Sequence, residues 1–414
     1  MHRSITRTTT AALGLLLGIL ACQDDQLMRP ASITPIDPLF ERYVSMGNSI
    51  TAGFQSGGIN DSTQLQSYAN LLARQMHTVF FMPLLSRPGC PPPLINIFTG
   101  KVVGPPLNPA FPCALRKQQP VPPPFLSDVA VPGANVEDLL SNLSPNSGPS
   151  ALTTLILGGL TQTAAMQRAK PTFVTVWIGN NDVLGAALDS ANGGNPADVT
   201  DPTAFAARYD SVLDAIDATP ASGKGVLIGV ADVAQIPFLT YGQVYFGAYV
   251  AAKLPPAMTV LPTCAPSGLG GVGDTALVPF RYGAGLLGKA AAGIQDTLDC
   301  LNNHLVLPAE LANLHASVAA YNTHISNQAT TRGFAYFDPN PAFAALRADT
   351  SQIVIFPHFP ASPTDTSAGV VQRPFGSAFS RDGFHPSAAT HKLVANALIQ
   401  VINARYGTTI APIP

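Results

Sequence analysis

The stretch Arg42-Tyr43-Val44-Ser45-Met46-Gly47-Asn48-Ser49-Ile50-Thr51-Ala52-Gly53 passes from a mainly apolar run into a glycine turn and out again toward a helix. Residues 42–46 read as a first strand. A serine at a strand-to-helix turn presents its hydroxyl at the C-terminal edge of a sheet, where open α/β folds place their ligands. Its own N–H is then free to face a developing oxyanion. Taken alone, Ser49 reads more readily as a helix cap.

Outward from this turn the same grammar repeats. Thr172 to Ile178 (TFVTVWI) is the clearest buried strand, Val226 to Val230 is another, and Phe334 to Phe337 a weaker one. Continuous apolar runs of this length suit a parallel sheet covered on both faces. Between them lie helix candidates at Ser67–Met76, Pro202–Ile216, Pro308–Thr331 and Ala388–Asn403. The last carries Leu393, Val394, Ala397, Leu398, Val401 and Ile402 as one apolar stripe. This alternation predicts a three-layer α/β/α sandwich, flavodoxin-like, with a parallel sheet of about five strands. Three loop-rich insertions interrupt it, at about 86–125, 235–305 and 350–378. One domain over 39–407 is expected, and a split near residue 235 is the alternative.

Of 414 residues, 46% are hydrophobic and 11% charged, which supports a large core and excludes a disordered chain. The net charge is −2 and no basic patch stands out, so nucleic acid is not an expected partner. Thirty-nine prolines and 35 glycines point to long connecting loops.

A second feature is Asp382-Gly383-Phe384-His385-Pro386. A serine hydroxyl is a weak nucleophile and needs a base, for which imidazole is suited near neutral pH. A carboxylate three residues before the histidine can hold its tautomer and stabilise its cation. Asp338 and Asp365 are the other carboxylates available to that histidine. Gly133, in Val131-Pro132-Gly133-Ala134-Asn135, can bring a bare N–H close to substrate. Asn181, in Gly179-Asn180-Asn181-Asp182 at the end of the clearest strand, can donate a side-chain N–H. Singly, each reads as a turn or cap residue.

Together, in the order Ser, Gly, Asn, Asp-x-x-His, they resemble the SGNH (GDSL-like) hydrolase family. Block I is matched by Gly47-Asn48-Ser49-Ile50, block II by Gly133, block III by Gly179-x-Asn181-Asp182 and block V by Asp382-x-x-His385-Pro386. The flanks Ser67-Tyr68-Ala69-Asn70 and Gly333-Phe334-Ala335-Tyr336-Phe337-Asp338 look similar too. The resemblance covers roughly 40–235 and 305–405. It implies a serine ester hydrolase with Ser49 as nucleophile, His385 as base and Asp382 as its orienter. Ser49, Gly133 and Asn181 would form the oxyanion hole, with no metal and no organic cofactor. Asn48 stands where the family usually has Asp. Acyl or lipid esters are the expected substrates, with the aromatic 235–255 stretch lining or covering the pocket. The rivals are O-deacetylation of a carbohydrate and a catalytically silent lipoprotein, either a surface-exposed binding protein or a carrier of hydrophobic cargo.

The letters Gly268-x-Gly270-x-x-Gly273 match a dinucleotide fingerprint, but Pro262 and Pro266 precede them where a strand is required. Residues 1–22 read as an export signal: Arg3 and Arg7, then the apolar run Ala11–Ala21. Ile19-Leu20-Ala21-Cys22 resembles the lipobox of bacterial lipoproteins, which implies cleavage before Cys22 and a diacylglycerol on its thiol. Residues 23–38 read as a flexible tether. The partner so implied is a membrane, and the expected location is the bacterial outer membrane or cell surface. Export permits disulfides among Cys90, Cys113, Cys264 and Cys300. Cys90–Cys113 and Cys264–Cys300 is the favoured pairing, because each pair brackets one insertion.

Overall fold

Strand β1 (Tyr43–Gly47) pairs in parallel with β2 (Phe173–Trp177), β2 with β3 (Gly225–Ile228), and β3 with β4 (Ala335–Phe337). The register aligns Gly47 with Trp177 and Trp177 with Ile228, so the strands end along one edge. The structure is a computed structural model that describes residues 34–104, 116–117, 124–141, 151–357 and 373–414. An irregular fifth segment runs along the outer side of β1. There the Ser45 N–H donates to Ser127 O at 2.8 Å, Val129 N–H to Ser45 O at 3.0 Å and Val131 N–H to Gly47 O at 3.2 Å. The expected five strands are therefore four regular ones and one bridged segment, giving the spatial order of a flavodoxin-like sheet.

Side chains alternate across the strands, and each face buries its own set. Tyr43, Phe173, Trp177, Val226 and Ile228 point to one side. They meet the helices that follow β1 and close the chain. Val44, Met46, Val174, Val176 and Leu227 point to the other. The helices that flank the sheet and the site are, in chain order, α1 (Ser49–Ala52), α2 (Tyr68–Gln75), α3 (Gln162–Ala169), α4 (Asn181–Leu188), α5 (Pro202–Asp217), α6 (Pro308–Arg332), α7 (Asn340–Ala348) and α8 (Ala388–Tyr406). Helices α2 and α8 cover the first face through Tyr68, Leu72, Leu398 and Ile402. Helices α3, α5 and α6 cover the second through Met166, Phe205, Leu213, Leu314 and Ile325. Full burial of each large side chain contributes about 1.5–3 kcal/mol. Two apolar faces on one sheet are what force three layers.

The helix starts follow from local chemistry. Ser67, Asp201 and Ser387 accept hydrogen bonds from the first-turn N–H groups of α2, α5 and α8. One expectation is corrected on α8. Its buried residues are His391, Ala395, Leu398, Ile399 and Ile402, while Leu393 is 51% exposed. The apolar stripe is wider than the buried one, because its outer part lines a cavity rather than the core.

Residues 235–305 are also more regular than their glycine content predicts. Leu239–Tyr241 pairs antiparallel with Leu277–Pro279, and Met258–Val260 pairs in parallel with Asp296–Leu298. Helices Gly242–Val250 and Phe280–Ala291 pack between them. Leu239, Tyr245 and Leu287 join the same core as α5 and α6, and residues 35–414 form one compact unit. Cys264 and Cys300 are disulfide-bonded within this segment. Cys90 is buried, and Cys113 lies outside the described residues, as do Cys22 and the signal and most of the tether. The fingerprint-like glycines sit around a 3-10 turn at Ser267–Leu269, with no strand leading into it. No helix among the described residues is long and apolar enough to cross a membrane.

Candidate active site

β1 ends at Gly47, whose φ of +154° and surroundings leave no room for a side chain. A Cβ there would sit 2.4 Å from Trp177 O and 2.5 Å from Thr51 Oγ1. The chain then enters α1 under an Asn48 cap, whose Oδ1 accepts the Ile50 N–H at 3.1 Å. Asn48 thus has a local task that needs only an acceptor oxygen, which Asn supplies as well as Asp. Ser49 is the first residue of this single turn and is 8% exposed.

Residues 380–385 form a tight turn, closed by Ser380 N–H to His385 O at 2.9 Å and Gly383 N–H to Ser380 O at 3.1 Å. Asp382 folds back on this turn. Its Oδ1 accepts from His385 N–H at 2.9 Å, Phe384 N–H at 3.1 Å and Ser380 Oγ at 3.0 Å. Its Oδ2 accepts from His385 Nδ1 at 2.8 Å and Gly57 N–H at 2.6 Å. Burial pushes this carboxyl up, but the charge and hydrogen bonds of His385 outweigh it, and the net shift is downward. Asp382 is therefore a carboxylate, and the proton of the pair sits on Nδ1. That leaves Nε2 to accept from Ser49 Oγ, 2.8 Å away. The imidazole is held between Phe54 and Phe384, at ring-centroid distances of 4.8 Å and 4.5 Å.

Gly133 and Asn181 meet this group less directly. Asn181 lines the same cavity as Ser49 and His385. Its Nδ2 donates to Ala134 O at 2.8 Å, so one of its two N–H bonds holds the Gly133 loop and the other remains for a ligand. Asp182 Oδ2 fixes the far end of that loop by accepting Val136 N–H at 3.0 Å. Burial pushes the Asp182 carboxyl up to about 7. Gly133 itself is exposed with φ +85° and does not line the cavity. Neither its N–H nor that of Ser49 has an acceptor among the described residues. Asp338 instead accepts from Asn340, and Asp365 lies outside the described residues.

A cavity of about 280 Å³ opens beside Ser49. Its walls are Leu184, Ile236, Phe337 and Phe379, then Phe343 and Leu346 of α7, and Leu393, Val394 and Ala397 of α8. This corrects the expectation for residues 235–255, of which only Ile236 reaches the cavity. Of the aromatic residues there, Tyr245 is buried in the main core and Tyr249 is exposed. Phe238 supports the histidine turn instead, stacking edge-on against Phe384 and donating its N–H to Gly383 O at 3.0 Å. Sequence reading also missed Gly57, Phe54 and Ser380. Only Ser380, two residues before Asp382, left any local signal. Among the described residues no cluster of His, Cys, Asp or Glu is arranged to hold a metal ion.

Comparison with known proteins gives the family of the chain. The family model described as GDSL-like lipase/acylhydrolase matches residues 43–398. Among curated proteins none matches. Similar solved structures include an acetylxylan esterase from Geobacillus stearothermophilus, 11% identical, covering 90% of this chain and 97% of that one at a TM-score of 0.39. An extracellular lipase from Streptomyces rimosus is 15% identical, with 88% and 99% covered and a TM-score of 0.36. A phospholipase A1 from Streptomyces albidoflavus is 14% identical, with 88% and 99% covered and a TM-score of 0.36. With the family model spanning β1 through α8, this chain belongs to the GDSL-like lipase/acylhydrolase family and is a serine ester hydrolase.

Proposed function

We propose that Ser49, His385 and Asp382 are the catalytic triad of this ester hydrolase, acting on acyl esters. The observation that carries the reading is the unbroken chain Ser49 Oγ, His385 Nε2, His385 Nδ1, Asp382 Oδ2, with both links at 2.8 Å. Ser49 Oγ adds to the ester carbonyl as His385 Nε2 takes its proton. The oxyanion is met by the N–H groups of Ser49 and Gly133 and the remaining N–H of Asn181. Collapse expels the alcohol, which takes the proton from His385, and an acyl-enzyme remains. Water then adds to the acyl carbonyl, gives its proton to His385, and Ser49 leaves with that proton. Asp382 stays ionised throughout and stabilises the imidazolium.

The apolar cavity beside Ser49 favours a hydrocarbon acyl group over acetyl, because a two-carbon acyl leaves most of that wall unfilled. Carbohydrate deacetylation is the rival, and a sharp acetyl optimum would establish it. A silent binding lipoprotein is the other. A fluorophosphonate probe separates them, since only an activated serine reacts quickly. The wild-type protein is expected to label at Ser49 and to turn over p-nitrophenyl esters. Ser49→Ala is expected to do neither, with turnover down by about 10⁴–10⁶. Equal rates in the two proteins would end the reading.

We also propose that residues 1–22 are a lipoprotein signal, 23–38 a tether and 39–407 the hydrolase domain, which places the enzyme at a membrane surface outside the cytoplasm. The lipobox at Cys22 supports this, and the Cys264–Cys300 disulfide fits an oxidising compartment. Mass analysis of the mature N-terminus tests it: an unmodified Cys22 in the mature protein is the contrary result.

A further inference from the structure

We infer that Gln162 is a positioning residue that fixes the nucleophile turn and the oxyanion loop relative to each other. This rests on the reading of Ser49 as the nucleophile. Gln162 opens α3 and is 1% exposed. Its side-chain amide grips both backbone groups of Gly47: the Gly47 N–H donates to Oε1 at 3.0 Å, and Nε2 donates to Gly47 O at 2.8 Å.

The place of this contact gives it meaning. Along the outer side of β1 the parallel ladder runs Ser45 N–H to Ser127 O, then Val129 N–H to Ser45 O. Its next rung would send the Gly47 N–H to Val129 O. Gln162 Oε1 takes that N–H instead, while Val131 N–H still donates to Gly47 O. Gly47 is thus the point where β1 and the outer segment part. Two residues beyond Gly47 stands Ser49, and two residues beyond Val131 stands Gly133. Both offer the unpaired N–H groups assigned to the oxyanion. A primary amide standing in for a strand holds the Gly47 peptide from two directions at once. Without it, the glycine has only the single long Val131 contact on that side to set its orientation.

The test uses the full chain, with active sites counted by fluorophosphonate stoichiometry and turnover expressed per counted site. Gln162→Met keeps the volume and loses both contacts. Gln162→Glu keeps an acceptor for the Gly47 N–H but sets a carboxylate oxygen against Gly47 O. Misplacement by about 1 Å can cost about 10²-fold, so kcat per site is expected to fall about 10–100-fold in both, with KM within about threefold. In Gln162→Glu the ratio to wild type is expected to rise as pH falls, because the protonated carboxyl regains a donor. A merely structural role would lower the melting temperature and the number of sites and leave kcat per site unchanged. Turnover per site within twofold of wild type, in Gln162→Met or, should that variant not fold, in Gln162→Glu, overturns the inference. Failure of the wild-type protein to label at Ser49 would instead overturn the triad reading.

Discussion

The two ends of the cavity are held by different kinds of force. At the polar end hydrogen bonds, which are directional, set the arrangement, with Phe54 and Phe384 packed on the imidazole. The Asp382 carboxylate alone receives five hydrogen bonds, from Ser380, Phe384, Gly57 and twice from His385. Bonds to a charged acceptor are roughly twice as strong as neutral ones and sharply dependent on angle. At the apolar end α7 has no buried residue, and Leu393 across from it is half exposed. Hydrophobic contact has no preferred direction and scales with area. The proposed reacting atoms are therefore fixed tightly, while the apolar wall of the cavity accepts changes in shape.

That contrast can be broken at either end. Next to the loss of Ser49 itself, the largest effect is expected at Asn181. Its removal takes away the proposed oxyanion donor and the Ala134 contact together. Loss of one such donor typically costs about 10²–10³ in turnover, and Asn181→Ala is expected to fall in that range with its circular dichroism unchanged. A drop below about tenfold would show that the oxyanion is held by backbone alone.

A middle effect is expected on the apolar wall. Leu346→Trp shortens the cavity without touching a polar group. One lost methylene site is worth about 1–3 kcal/mol, so relative kcat/KM for decanoyl against butanoyl p-nitrophenyl esters should drop roughly 10-fold or more. The butanoyl rate itself should hold within about threefold. A uniform loss across chain lengths would mean that the acyl group lies elsewhere.

The smallest effect on turnover is expected at Asp182, where the signal is stability. Its folded pKa of about 7 stands above the unfolded value of about 3.9. A raised carboxyl stabilises the fold below the unfolded pKa, and that contribution is lost as pH rises through the folded one. Asn cannot titrate, yet its Oδ1 still accepts the Val136 N–H. Asp182→Asn should therefore match wild type near pH 4 and exceed it by about 2–4 kcal/mol near pH 8 in chemical denaturation. A constant difference across that range would contradict the assignment.

Much of this was legible in sequence where the cause is local. Ser67 and Ser387 announce their helices because a cap acts within three residues. Asp382 and His385 share one turn, so their spacing carried their relation. The strands were legible because burial on both faces leaves short, mostly apolar runs, with Ser45 in β1 and Thr175 in β2 as buried polar exceptions. The contacts of Gln162, Gly57 and Phe54 were not, since each meets a partner far along the chain, and a backbone group looks the same at every residue. The cavity wall was expected in residues 235–255 for the same reason: Phe238 and Tyr245 have the right composition, and only packing sends them elsewhere.

By itself, the order of residues put forward the groups proposed to carry the chemistry and determined which runs become strands and helices, because those choices rest on neighbours within a turn or a strand. Only the folded chain decided that the turn at Ser49 meets the one at His385, that an amide from α3 replaces a missing rung beside β1, and that α7 and α8 rather than the insertion enclose the cavity. Such distances between remote segments are outcomes of packing two apolar faces onto one twisted sheet, and no short stretch of sequence contains them.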